Sequence, residues 1–189
     1  MESQGRRHPA VAATVGGAPV SVAEVDDRED VLRASPQTAA LPRSGTSEGR
    51  QLRRWLTQLL VTERVIAQEA QLLGLSVTGA TPTERDVLPD LTARLEIGSI
   101  AAAVLADPLA REVYARVTAE VDVDDAIVAD YRRRNPGRHG SAVAEMLRGA
   151  ARRRSFRIWL QQRCAALVWL APGYEHPGDP RQPDNTHKH

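Results

Sequence analysis

The side chains best suited to chemistry gather at the C-terminus, where His176, Asp179, Asp184, His187 and His189 fall within fourteen residues. Imidazole and carboxylate donors together suit zinc or another divalent cation. His187 and His189, two positions apart, would share one side of an extended segment. His176, His187 and His189 are therefore the candidate metal ligands. A working metal site also needs partners that orient its ligands, which a proline-containing terminus does not supply by itself. The competing expectation is a polar tail with no ion.

Elsewhere each candidate has a plainer reading. Cys164 could act as a nucleophile, but Leu160, Leu167 and Val168 around it suit a core thiol, and no histidine stands at a suggestive spacing. Glu63 and Glu69 could supply a general base; a salt-bridged face with Arg64 explains them as well. Trp55, Trp159 and Trp169 could line an apolar groove, with Trp55, Leu59 and Trp159 as the candidate binding residues, or they could anchor the core. Arg148, Arg152, Arg153, Arg154 and Arg157 could meet phosphate or an acidic partner, or form a solvated helix face.

The elements that must position these groups read as mainly helical. Val11–Val15 and Val20–Val22 flank Gly16-Gly17, a dipeptide that permits the positive φ of a tight hairpin. Ser21 stands three residues before Glu24 in a capping-box arrangement, and apolar spacing carries a helix to about Arg33. Residues 34–49 show no period and read as a flexible loop. Leu52, Trp55, Leu56, Leu59, Leu60, Ile66 and Leu73 then recur at helical spacing from Arg50, and Gly74 supplies the stop.

Thr81-Pro82-Thr83-Glu84 predicts a helix capped by Thr81, with Pro82 at its first position. Ile97–Leu105 and Asp107-Pro108 to about Ala119 predict two short helices, and Val123–Tyr131 another, closed by Arg132–Arg134 and Asn135-Pro136. A long helix is expected from about Ala142 to Ala166, with a final strand at Leu167–Leu170 before Pro172. Residues 1–9 read as a flexible N-terminus, 10–172 as one helical domain, and 173–189 as an irregular tail.

Composition bounds the function classes. The 189 residues are 42% hydrophobic and 26% charged, ordinary globular usage. The 25 basic and 24 acidic residues leave a net charge of +1, no field to attract nucleic acid. No stretch approaches the ~18–20 apolar residues of a membrane span. One cysteine precludes an internal disulfide and fits a reducing compartment, so a cytoplasmic location is expected. With aromatics at 4%, the core is expected from Leu, Val, Ala and the three Trp.

Three segments carry a resemblance. Val11-Ala-Ala-Thr-Val-Gly-Gly-Ala-Pro-Val-Ser-Val-Ala-Glu-Val-Asp, the helix from Leu52 through Glu69-Ala70 to Gly74-Leu75, and Val121 through Asp124, Val128, Tyr131 and Asn135-Pro136 resemble, in that order, the chaperone module of SurA-type parvulin prolyl isomerases. The resemblance implies a helical SurA-like domain whose first hairpin pairs with a C-terminal strand. It also implies that the isomerase domain, which in that family follows the Asn-Pro segment, is missing at 137–141, and with it isomerase activity. The expected function is then a chaperone-like binder of an unfolded polypeptide or a specific protein partner. The alternative is a small biosynthetic enzyme or accessory protein of secondary metabolism that holds a hydrophobic metabolite, with the histidine-containing tail completing its site.

Overall fold

A computed structural model describes residues 10–137 and 142–179. The fold is mainly α, with a three-stranded antiparallel sheet built from the N-terminal hairpin and a strand near the C-terminus. β1 (Val11–Val15) lies between β2 (Ala18–Ser21) and β3 (Val168–Leu170). Ala13 pairs with Val20 on one side and Leu170 on the other. Gly16 and Gly17 make the turn with φ of 55° and 84°, the left-handed values expected of a two-residue hairpin. The register slips between Val11 and Ala13, and two consecutive residues, Ala12 and Ala13, are buried. An extra residue in one strand interrupts strict alternation in this way. Ala12 then uses its carbonyl to accept from the amide of Ala171, at 2.9 Å.

α1 (Val22–Arg33) starts at a complete capping box: Ser21 Oγ accepts from the Glu24 amide, and the Glu24 carboxylate accepts from the Ser21 amide at 2.8 Å. Residues 34–49, expected to lack secondary structure, contain the 3-10 turn Pro36–Ala40 and the first residues of α2 (Ser47–Leu72). α2 ends where Gly74 adopts a φ of 63°, the amide of Leu75 donating to Ala70 and that of Gly74 to Gln71. These two bonds form a Schellman closure.

Two of the expected helices are corrected. α3 is a single turn, Glu84–Val87, capped by Thr83 with Asp86 as its reciprocal partner, not by Thr81 with Glu84. The Thr81 hydroxyl is engaged by Glu112, and Arg111 Nε donates to the Pro82 carbonyl at 2.7 Å. Both residues are held against α6 (Pro108–Val117) and cannot start a helix. The helix expected at Ile97–Leu105 is the shorter α5 (Ser99–Val104), and an unexpected helix, α4 (Leu91–Ile97), precedes it, the two jointed at Gly98 with a φ of 92°. α7 (Asp125–Arg134) begins at Asp124, and α8 runs from Ala142 to Leu167.

The chain divides into two compact units, residues 1–64 with 166–189, and residues 65–165. In the first, Ala12, Ala13, Val20, Val25, Leu56 and Val61 are buried. Glu29, 5% exposed, fastens α1 to neighbouring segments of that unit through Arg53 and Ser44. In the second unit the largest fully buried side chain is Phe156, and Ile97, Leu105, Val65 and Val113 are fully buried as well. The tryptophans expected in the core are not there: Trp55 and Trp159 are half-buried and Trp169 is 56% exposed. The one phenylalanine takes the place they were expected to fill. Among the described residues no helix is long and apolar enough to cross a membrane.

Candidate functional site

α8 carries apolar residues on two sides. Val143, Arg153, Phe156 and Leu160 are its buried residues, and at about 3.6 residues per turn they share one side of the helix. Ala151, Arg154, Ser155, Ile158, Trp159 and Gln162, spaced at three and four residues, line an open depression of about 350 Å³. Their positions place them roughly opposite the buried side. Ile158 is 46% exposed. A helix whose only apolar stripe faced the core would not present this second one.

Trp159 is held rigidly. Its ring stacks on Phe156 with centroids 5.6 Å apart and planes at 25°, and Phe156 meets Tyr114 edge-on at 5.2 Å and 64°. The three rings form a ladder from the buried Tyr114 to the surface. Burial pushes the Tyr114 hydroxyl above its ordinary pKa, an effect that the nearby Arg152 and Arg153 charges only partly oppose. Tyr114 therefore stays protonated at neutral pH and acts as a packing group with a polar tip.

The arginines of α8 divide between packing and solvent, with Arg153 buried, Arg148 and Arg152 half-buried, and Arg154 and Arg157 exposed. Arg152 lies over Tyr114, its guanidinium carbon 5.4 Å from the ring centroid, and its Nε donates to Thr118 Oγ1 at 2.9 Å. Arg153 is buried; its Nη2 donates to Glu96 at 3.2 Å, and its Nε has no partner in the structure. Arg157 donates to the Glu96 carbonyl at 3.0 Å. Arg148 pairs with Asp122 and Glu145 at 2.8 and 2.6 Å. The hydrogen bond from Arg148 holds the Asp122 carboxyl below its ordinary range. Arg154 is exposed.

A second, more polar depression of about 230 Å³ is lined by residues that include Asp86, Tyr114, Glu145, Arg148 and Arg152. Its charges are committed. Asp86 accepts from Thr83, which holds its carboxyl below the usual value, and Glu145 and Arg148 are each other's partners. The geometry is that of a braced surface.

The residues singled out from the sequence separate. Trp159 lines the α8 depression; Trp55, half-buried, and Leu59, buried, belong to the first unit and line neither depression. His176 is exposed and its Nδ1 accepts from the Gly178 amide at 3.0 Å. Asp184, His187 and His189 lie outside the described residues, as does 138–141 within the expected deletion point. Among the described residues no group of three His, Cys, Asp or Glu side chains could hold a metal ion.

Cys164 is half-buried rather than a core thiol. Glu63 pairs with Arg28 at 2.6 Å, and Glu69, buried, pairs with Arg163, its Oε1 2.9 Å from the Arg163 Nε; neither uses Arg64, which pairs with Glu24. Arg154, Ser155, Ile158 and Gln162 were missed as a surface, although their spacing on a helix whose other side already held Val143, Phe156 and Leu160 was available to find them.

Residues 11–48, from β1 to the first two residues of α2, match a family of unknown function, DUF7158. No curated protein and no solved structure matches the chain.

Proposed function

We propose that the protein is a chaperone-like binder of polypeptide that lacks prolyl isomerase activity and receives its client on the outward side of α8. The observation that carries this reading is the apolar stripe opposite the packed side of that helix, with Ile158 exposed and Trp159 locked against Phe156. A rigid aromatic beside an open apolar depression is the kind of anchor around which binding energy concentrates. The resemblance to the SurA-type module supports the same reading. Only five residues, 137–141, separate Pro136 from the start of α8 at Ala142, too few for an inserted domain.

The alternative, an enzyme or accessory protein holding a hydrophobic metabolite under the tail, is less well supported, because neither depression is lined by His176. The test is aggregation of a chemically denatured client followed by light scattering. The full chain in several-fold excess suppresses the signal, and Ile158→Ser, at an exposed position away from the core, suppresses it about threefold less well. A wild-type chain that leaves aggregation unchanged refutes the proposal.

A further inference from the structure

The flanks of the α8 stripe determine what kind of polypeptide it takes. From Ala142 to Leu167 the helix has six arginines and a single acidic residue, Glu145. Helical spacing sets Arg154 at one edge of the stripe, with Arg157 beyond it toward the buried side, and Arg152 and Arg163 at the other edge, with Arg148 a turn before the stripe begins. Arg148 and Arg163 are neutralised by Asp122, Glu145 and Glu69. The other three keep their charge: Arg152 is held by the Thr118 hydroxyl and the Tyr114 ring, and Arg157 by a carbonyl. Arg154 lines the depression and is exposed, with no acidic partner among the described residues. The strip, about three turns long and about 17 Å from Ala151 to Gln162, thus carries the cation Arg154 at its edge without an acidic partner among the described residues, on a helix whose one acidic residue is already paired.

Resting on the polypeptide-binding reading, we infer that the occupant is an acidic amphipathic helix, with apolar residues at three- and four-residue spacing inserted at Ile158 and Trp159 and Asp or Glu on its edges. Charge complementarity selects acid over base, since a basic helix would set like charge beside Arg154. A membrane surface is the poorer fit: of the residues lining this depression, Ile158 and Trp159 are the large apolar ones, whereas interfacial insertion needs a broad apolar face.

The experiment uses the full chain and two fluorescein-labelled synthetic helical peptides with the same apolar residues, one with Glu edges and one with Lys edges, read by fluorescence anisotropy. The Glu peptide binds at least tenfold tighter than the Lys peptide, and its affinity falls as ionic strength rises. Arg154→Glu, at an exposed side chain, narrows or inverts that ratio while circular dichroism stays unchanged. Equal affinity for both peptides overturns the acid preference and leaves the polypeptide reading intact. If neither peptide binds but the chain still suppresses aggregation, this inference alone falls; if suppression is absent too, both fall. Co-sedimentation with anionic phosphatidylserine vesicles that is lost in Ile158→Asp, or a dimer in sedimentation velocity lost in the same variant, would assign the stripe to a membrane or to a second copy and overturn the inference.

Discussion

Replacing Glu29 tests whether a buried carboxylate holds α1 to its neighbours in the first unit. Its Oε1 accepts from Arg33 Nε at 2.7 Å and from Ser44 Oγ at 3.2 Å, and its Oε2 accepts from Arg53 Nη1 at 2.8 Å. Breaking a fully buried ion pair costs about 3–5 kcal/mol. Here the cost is smaller, because the Arg33 and Arg53 side chains are 25% and 29% exposed and each keeps another partner, the Pro42 carbonyl and Asp26. Glu29→Ala should therefore lose about 2–3 kcal/mol, and Glu29→Gln, which retains one acceptor but turns an amide N–H toward an arginine, about 1–2 kcal/mol.

Burial alone would raise the Glu29 pKa, but hydrogen bonds from Arg33 and Arg53 and their charges outweigh it and leave the carboxyl below its ordinary value. A depressed folded pKa means that this stabilisation is complete above the unfolded value of about 4.3 and is lost as pH falls through the folded one. Glu24 is also held low, first by the Ser21 amide, but it is common to wild type and variant and cancels in their difference. Urea unfolding of wild type and Glu29→Gln should show the gap at pH 7 closing below about pH 4. A Glu29→Ala variant within about 0.5 kcal/mol of wild type, or a gap that persists unchanged in acid, refutes the assignment.

Thr118, fully buried, donates to the Tyr114 carbonyl at 2.7 Å and accepts from Arg152 Nε; Thr118→Val keeps the shape but strands that N–H, so urea unfolding should show a loss of about 1–2 kcal/mol. Gly49 sits in the first turns of α2, where helix propensity alone would have Ala gain about 1 kcal/mol. A Cβ there would lie 2.3 Å from the Arg43 carbonyl oxygen, so Gly49→Ala should lower the thermal midpoint instead of raising it.

Several local features were readable because the residues that make them are neighbours in the chain. The Ser21–Glu24 capping box, the Gly16-Gly17 turn, the Gly74 stop and the Asp107-Pro108 start each satisfy backbone groups within a few positions. Thr81-Pro82-Thr83-Glu84 offered two competing caps, and the choice fell to Glu112 and Arg111, roughly thirty residues away, which occupy Thr81 and Pro82. α4 was not legible, because its leucines, Leu91 and Leu95, are exposed and Ala93 and Ile97 form its buried side.

What the residue pattern determined by itself was the helical class, the hairpin and most element positions, since hydrophobic period and end-capping act over one or two turns. Tertiary structure alone decided which of α8's two apolar sides is covered, that Phe156 rather than a tryptophan fills the core, and that Arg152 and Arg153 turn inward while Arg154 stays in solvent. The reason is that burial depends on what packs against a side chain from distant parts of the sequence, and the period of a helix marks an apolar side without saying whether another element will cover it.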